Sequence, residues 1–594
     1  MARKGVGSLR RGQVVSSFGP GATIDLPDIS VVIGGLDWWK GYDQERILEP
    51  RLEEKVAQAL KVPRITLYAP PAEVKEPHGP MFGIPVDEFP LWFVADVEQK
   101  KGRARTRPLL HQRSLVKGEY EHERKKYPVT PVRFVQACSN GHIADIEWYE
   151  FTHSGRTSCH RPLWIDEYGT SGDLTDALVR CECGEQRALA QATRRDVLGQ
   201  CKGQRPWLPK GELCGGVGGK PEMMRLLIRT ASNAYFPQKL SVLSLPEAGD
   251  KIRAAVRGLW SMLKDADSVE KLAAFRSMLS AVRDGLQGID DATAFGYIVA
   301  EREGRTPVRR PIKVDEFEAL TQAAESLGED RPDGDFYARR LALPNPQVGV
   351  LAPIERVVLV HRLREVTAQL GFTRFESVVP DVQGELDLNV RRAALAMEPT
   401  WMPAVETRGE GVFISFKKSA LEEWRARPEV RARDDAFKRA FDAQRGPAER
   451  PDATYVMLHS LAHLLITAVA LDCGYNTASI RERIYVGADG CGILLYTGTS
   501  DAEGTLGGLV QSGRKIGRYL RLALDLGRLC ANDPVCAQRP PDSQHDDRNS
   551  LGAACHGCLL ISETCCERRN EYLDRSLVVA TVQNLGCEFF VEPA

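Results

Sequence analysis

The sequence predicts a mixed α/β (α+β) multidomain chain, and three features predict it: its length of 594 residues, a change of hydrophobic period along it, and fifteen cysteines gathered into separate clusters. A single hydrophobic core stops growing beyond roughly 250–300 residues, so several domains are required. Pattern and composition divide the chain into a β-rich N-terminal domain over 1–130, a cysteine-rich region over 131–220, a helical and mixed middle domain over 221–450, and an α/β C-terminal domain over 451–594.

In the first stretch, Val31-Val-Ile33 and Pro90-Leu-Trp-Phe-Val-Ala95 are short β-rich runs bounded by Gly and Pro turns. Phe18-Gly-Pro-Gly-Ala22 predicts a tight turn. Over 131–220 six cysteines stand among short strands and loops, where metal takes the place of core. From 221 to 345 apolar residues recur at three- and four-residue intervals, in Ile252–Leu286 and again in Glu316–Leu327, which predicts helices. Ile354–Leu370 predicts a further amphipathic helix, with Val357, Val358, Val360, Leu363 and Val366 set against Arg362, Arg364 and Glu365, and Gly371 as its C-cap. Gly411–Phe416 predicts a buried strand running into a charged helix at Ser419–Arg427. Strand and helix alternate from 451 onward, and Gln538–Asn549, rich in Pro, Asp and Arg, predicts an exposed loop. No fixed-period repeat interrupts this organisation.

Lys and Arg total 79 against 80 Asp and Glu. This excludes a uniformly basic surface and leaves only local runs, Arg103–Arg107 and Arg425–Arg433, which predict solvated faces. No apolar run approaches the ~20 residues of a membrane span, and Met-Ala-Arg-Lys-Gly-Val-Gly at the start lacks the apolar core of a secretory signal. The expectation is a cytoplasmic protein with no membrane attachment. Disulfides rarely persist in a reducing cytoplasm, so clustered thiols there point to metal.

The clearest cluster is Cys555-His-Gly-Cys558, followed by Cys565-Cys566 and preceded by Cys530 and Cys536. A Cys-x2-Cys turn sets two thiolates at the separation tetrahedral zinc requires, and two more close the shell. Cys536, Cys555, Cys558 and Cys566 are the expected ligands, with Cys530 and Cys565 as alternates. Four thiolates leave no position for water, so this Zn²⁺ is structural. In the first cluster, Cys181-Glu-Cys183 resembles half of a zinc ribbon, and Cys201 and Cys214 are the preferred other half. A competing set uses Cys138, His142 and Cys159, and two metals also fit the spacing.

The run Leu551-Gly-Ala-Ala-Cys-His-Gly-Cys-Leu-Leu-Ile-Ser-Glu-Thr-Cys-Cys-Glu567, with Asn570 and Leu573-Asp-Arg575, resembles the zinc-binding domain at the C-terminus of MrfA-type superfamily 2 helicases. The wider pattern resembles the DrmB family, the helicase-associated components of the DISARM anti-phage system. That pattern includes Tyr455–Ile466, Gly504-Thr-Leu-Gly-Gly508, Cys530–Cys536 around Asp533-Pro534 and Arg229–Phe236. It extends to Leu363-Arg-Glu365, Gly371–Arg374, Gly409-Glu-Gly411 and Phe18–Ala22, so it touches nearly the whole chain. The resemblance implies a heterodimer with a DrmA-like helicase that binds DNA as a complex in antiviral defence. One departure is the pair Cys565-Cys566 after Thr564, where the family has a single cysteine after Glu-Thr-Ser, and it leaves the fourth ligand open.

Signatures of catalysis fail in detail. Gly215-Gly-Val-Gly-Gly-Lys220 is one residue short of a phosphate loop and is followed by Pro221 where Ser or Thr should bind magnesium. His459-Ser-Leu-Ala-His463 has the i, i+4 imidazoles of a zinc protease, but Ser460 stands where the glutamate belongs. No DEAH-type box accompanies either. The chain is therefore expected not to be an enzyme. The alternative is a stand-alone metal-dependent hydrolase or nuclease assembled from distant residues such as His459, His463 and Asp501. Arg514, Lys515, Arg518 and Arg521, at one-turn spacing, are the candidate phosphate contacts.

Overall fold

A computed structural model describes residues 7–591 apart from 28, 40–43, 72–82, 98, 102–103, 169–172, 216–219, 247–254, 288, 303–310, 323–324, 332–333, 344–348, 388–389, 446–449, 499–507 and 543–550. The chain forms two compact units, each discontinuous in sequence, so neither coincides with one of the four stretches expected from composition. The first comprises residues 1–241, 366–380 and 386–406, and the second 242–365, 381–385 and 407–594.

The first unit is β-rich. Its main sheet contains β1 (Trp92–Ala95), β2 (Ala104–His111), β3 (Val129–Pro131), β6 (Leu163–Glu167), β7 (Ala177–Cys181) and β8 (Gln186–Ala188), in the order β3-β1-β2-β6-β7-β8. A three-stranded sheet places β4 (Phe134–Ala137) between β5 (Ile143–Ala144) and β9 (Arg225–Ile228). Val94, Leu109, Leu163, Ile165 and Val179 point inward and are covered by Trp148 and Phe151 of the short helix α1 (Trp148–Thr152). The Phe18–Ala22 segment turns as expected, with Gly21 at φ +84° and the Ala22 amide donating to the Gly19 carbonyl.

The second unit has a sheet of order β10-β11-β12-β13-β15-β14, formed by Ser326–Gly328, Tyr337–Leu341, the part up to Glu365 of the strand Ile354–Thr373, the part from Thr407 of the strand Trp401–Phe416, Ile480–Gly487 (β14) and Gly490–Thr497 (β15). Ile354–Leu370 is thus a strand and not the expected amphipathic helix. The registers pair Val357–Arg362 with Tyr337–Leu341, and Gly411–Phe416 with Cys491–Tyr496. β12 lies inside its sheet with residues of both faces buried, so its apolar residues fall on consecutive positions and imitate a helical period. The β-branched residues Ile354, Val357, Val358, Val360, Val366 and Thr367 favour the extended state. Gly371 continues that strand and caps nothing. The middle stretch is mixed: strands Arg225–Ile228 and Phe236–Leu243 precede the helices Val269–Met278, Asp291–Arg302 and α2 (Ile312–Gln322), the strands β10 to β13 follow, and the stretch ends in helices.

Helices α3 (Lys418–Arg425), α4 (Pro428–Arg445), α5 (Ala453–Cys473), α6 (Gly508–Arg514), α7 (Ile516–Arg528) and α8 (Val535–Gln538) complete the unit. α5 starts at an N-cap Asp452 that accepts from the Tyr455 amide at 2.9 Å and ends at Gly474, φ +69°. It runs as the core helix, with Tyr455, Val456, Leu458, Leu461, Leu465 and Ile466 all buried. At 20 residues, Ala453–Asp472 meets the length and apolarity of a membrane span, against expectation, but it is almost wholly enclosed by protein. Its helical period is hard to see in the sequence because every face is apolar.

Candidate metal centres

β14 and β15 form a hairpin through Ala488-Asp489, α5 packs on it, and α7 packs on α5, leaving the segment after α7 to fold back over the helix ends. Four cysteines meet there. Cys530 and Cys536 flank the turn into α8, and Cys555 and Cys558 belong to a turn in which the Cys558 amide donates to the Cys555 carbonyl at 3.1 Å. The Sγ–Sγ separations are 3.4 Å (Cys530–Cys555), 3.8 Å (Cys536–Cys558) and 3.7 Å (Cys555–Cys558). A zinc tetrathiolate with Zn–S of about 2.3 Å has edges of about 3.8 Å, so these residues fit the ion.

Backbone and side-chain N–H groups supply the balancing polarity. Asn532 N donates to Cys530 Sγ at 3.4 Å, Gly557 N to Cys555 Sγ at 3.3 Å, and Asn532 Nδ2 to Cys555 Sγ at 3.3 Å. The hydrogen bond from Cys558 pulls the Cys536 thiol down to about 6, toward the thiolate that binds metal. Arg575, fully buried, donates from Nη1 to the Gly527 and Arg528 carbonyls and from Nη2 to Asp533, fixing the approach of the chain to Cys530.

The structure divides the expected quartet. Cys530 joins Cys536, Cys555 and Cys558, while Cys566 is buried elsewhere, its Sγ 3.0 Å from His459 Nε2. Around that sulfur stand His459 and His463 of α5 and Glu482 of β14. Cys565 is outside both groups and donates its thiol to the Ala478 carbonyl. Leu559, next to Cys558, is buried in the core with α5 and its carbonyl meets His463, and Cys566 lies beyond it beside His459.

The N-terminal cysteines divide likewise, and the preferred set of Cys181, Cys183, Cys201 and Cys214 is not brought together. Cys201 and Cys214 meet Cys138 and His142, on the turn joining β4 to β5, and all four are buried. His142 Nδ1 lies 3.3 Å from Cys138 Sγ and 3.4 Å from Cys201 Sγ, while its Nε2 is 2.8 Å from Glu212 Oε1. A carboxylate on the outer nitrogen aims the inner one at a metal. Gly203 N and Asn140 Nδ2 donate to Cys201 and Cys214 at 3.3 Å each. The hydrogen bond with Cys201 is the largest influence pushing the Cys138 thiol up to about 12.

Cys181 and Cys183, at the end of β7, instead meet Cys159 and His153. His153 donates from Nδ1 to the Tyr149 carbonyl at 2.8 Å and turns Nε2 to Cys183 Sγ at 3.2 Å, and Cys159 Sγ is 3.6 Å from Cys181 Sγ. The Glu185 backbone amide is the first cause of a Cys183 thiol lowered to about 7. His153 was missed in the sequence because it and Cys159 do not form a recognised Cys/His ligand spacing; its place just after α1 brings it to the cluster.

Residues 461–559 match the MrfA Zn-binding domain, a span that contains Cys530, Cys536, Cys555 and Cys558 and stops before Cys566. Residues 10–236, which hold the six N-terminal cysteines, match a domain family of unknown function, DUF8724. The DISARM protein DrmB of Bacillus paralicheniformis is 31% identical over 492 residues, covering 79% of this chain and 83% of that protein. The chain belongs to the DrmB family. As a DrmB-family member with a matched zinc-binding domain, it is built to bind zinc.

Other features of this DrmB-family chain take definite places. Arg514, Lys515, Arg518 and Arg521 are exposed along the junction and outer face of α6 and α7, whose opposite side buries Ile516, Tyr519, Leu520 and Ala523. Arg518 is held by Asp472 at 2.8 Å. Of the basic runs, Arg107 pairs with Glu167 and Arg433 with the buried Asp574, so both serve the fold. Ser460 is buried and donates to the Val456 carbonyl, which removes it from any general-base role. Asp501 and residues 216–219 of the glycine-rich segment lie outside the described residues.

Proposed function

We propose that this DrmB-family chain is the non-catalytic partner of a DrmA-like superfamily 2 helicase, and that the heterodimer binds DNA in anti-phage defence inside the cell. The observation that carries the reading is 31% identity to a DISARM DrmB along 79% of the chain, together with a matched MrfA-type zinc-binding domain. Three clusters would hold structural zinc: Cys530, Cys536, Cys555 and Cys558; Cys138, His142, Cys201 and Cys214; and His153, Cys159, Cys181 and Cys183. Zinc in such sites cross-links chain segments that have little apolar core of their own. The chain's residues do the rest. Amides of Asn532, Gly557 and Gly203 stabilise thiolates, Glu212 orients His142, and Arg575 seats the turn that carries Cys530.

DNA contact is proposed along Arg514, Lys515 and Arg521, whose spacing places positive charge on one exposed ridge. Contacts of this kind are to phosphate and weaken steeply with salt. The experiment is co-expression with the DISARM helicase, co-purification, and DNA binding measured from low to high salt. Complex formation, salt-dependent DNA binding and no ATP hydrolysis or DNA cleavage by the DrmB-family chain alone are expected. Robust turnover by the isolated chain with magnesium, ATP and labelled DNA would overturn the assignment in favour of a stand-alone hydrolase or nuclease.

A further inference from the structure

We infer that His459, His463, Glu482 and Cys566 form a further metal centre, separate from the three cysteine-rich clusters, which holds one divalent transition ion of the zinc class. The four side chains come from α5, β14 and the turn after Leu559, and their ligand atoms lie within 4.8 Å of one another. They are 0%, 0%, 3% and 6% exposed.

Proton accounting carries the inference. His459 Nδ1 faces the Tyr572 carbonyl at 3.2 Å, and His463 Nδ1 faces the Leu559 carbonyl at 2.8 Å. A carbonyl only accepts, so both Nδ1 atoms bear hydrogen and both Nε2 atoms turn inward. There they meet acceptors: His459 Nε2 is 2.8 Å from Glu482 Oε1 and 3.0 Å from Cys566 Sγ, and His463 Nε2 is 3.2 Å from the same Oε1. The sulfur accepts from the Arg568 and Asn570 amides at 3.4 and 3.1 Å, but burial beside Glu482 pushes the thiol up, so only a cation at this point makes it a thiolate. Glu482 Oε2 is buried and has no hydrogen-bond partner among the described residues.

Four electron-pair donors therefore converge on a dry point where a cation is required. Protons could satisfy them only by neutralising the carboxylate or the sulfur, or by charging imidazoles whose ring centres are 4.6 Å apart at a site closed to water, and they would still leave Glu482 Oε2 without a partner among the described residues. One divalent ion balances the carboxylate and the thiolate together and bonds all four atoms. Two imidazoles, one carboxylate and one thiolate suit zinc and its close neighbours. The two carbonyls that hold the imidazoles are the outer partners metal-bound histidines normally have. Full enclosure leaves no substrate path, so this centre cross-links. It ties the core helix to the hairpin and to the turn that follows the four-cysteine cluster.

Anomalous scattering at the zinc absorption edge, from crystals of the unmodified full chain, tests the inference without any variant. A peak bonded to His459 Nε2, His463 Nε2, Glu482 and Cys566 Sγ at about 2.0–2.3 Å is expected. Protein density with no peak there, beside a peak at Cys530, Cys536, Cys555 and Cys558, overturns it and assigns the group to a protonated hydrogen-bond network. Metal analysis of the full chain supplies the second arm. Glu482→Gln, close in shape to the original, should lose one equivalent, and Glu482→Gln combined with Cys558→Ser should lose two. A folded Glu482→Gln chain that keeps the unmodified metal content overturns the inference.

Discussion

Gly203→Ala is the most diagnostic single change in the first unit. Gly203 sits two residues after Cys201 at φ +72°, and its amide donates to the Cys201 sulfur. A Cβ there would fall 1.5 Å from the Glu212 carbonyl oxygen, so backbone has to move by about 2 Å to reach ordinary contact. Gly199 provides the control, because it has nearly the same backbone, φ +76°, with no heavy atom within 4 Å of the added Cβ. Both alanines incur the left-handed penalty of about 1–2 kcal/mol. Only Gly203→Ala also displaces Glu212. Losing its bond to His142 costs about 1.5 kcal/mol, the lower end for a charged hydrogen bond, since the Glu212 side chain is 48% exposed. Disturbing an outer partner of a metal ligand lowers metal affinity by roughly 10–100-fold. The expected result is a first unit destabilised by about 2.5–3.5 kcal/mol, with one metal equivalent lost in competition with a chelator. Gly199→Ala should keep its metal and lose only ~1–2 kcal/mol. Denaturant melts and metal analysis read both. Equal stability and metal retention in the two variants would refute the placement of Glu212 and His142 at a metal centre.

Three further outcomes follow from the second unit. Cys558→Ser should release one metal equivalent and expose residues from Cys530 onward to hydrogen exchange, because a structural zinc contributes roughly 10–16 kcal/mol in small modules against a domain stability of about 5–15 kcal/mol. Lys313→Met should destabilise the unit by about 1.5–3 kcal/mol in denaturant melts. Its Nζ is 2.9 Å from both Glu567 oxygens and from the Ile484 carbonyl, and the change removes the cation beside that half-buried carboxylate, which keeps the Tyr455 hydroxyl and the Ile484 amide as donors. In the helicase complex, Arg514→Ala, Lys515→Ala and Arg521→Ala should each reduce the slope of log affinity against log salt by about 0.9, whereas Arg518→Ala should have less effect because Asp472 already holds that guanidinium.

The two candidate metal clusters of the second unit are joined by short links. The Leu559 amide and the Cys558 amide both close on the Cys555 carbonyl, and the Leu559 carbonyl in turn meets His463. The turn beside the four sulfurs thus also fixes an imidazole of the core helix. Disturbance of one cluster should therefore be felt at the other, in contrast to the N-terminal clusters, which belong to the other unit.

By itself, the sequence determined the chemistry. Cysteine spacing, a reducing-compartment logic and the Leu551–Glu567 run were sufficient for a mixed α/β chain that binds zinc and belongs with DrmB proteins, because motif spacing is a local property of the chain. The strand at Gly411–Phe416 was legible for the same reason, its apolar run being short and bounded. Only the tertiary structure decided which thiols share a centre. Cys181 and Cys201 are neighbours in sequence but sit on different turns, and Cys530 displaces Cys566 because folding onto α5 carries the latter to His459. Ile354–Leu370 was misread as a helix because burial on both faces erases the period of two that marks a half-buried strand. Glu482 had no local motif at all, since a ligand set drawn from a helix, a hairpin and a turn exists only after long-range packing brings the three together.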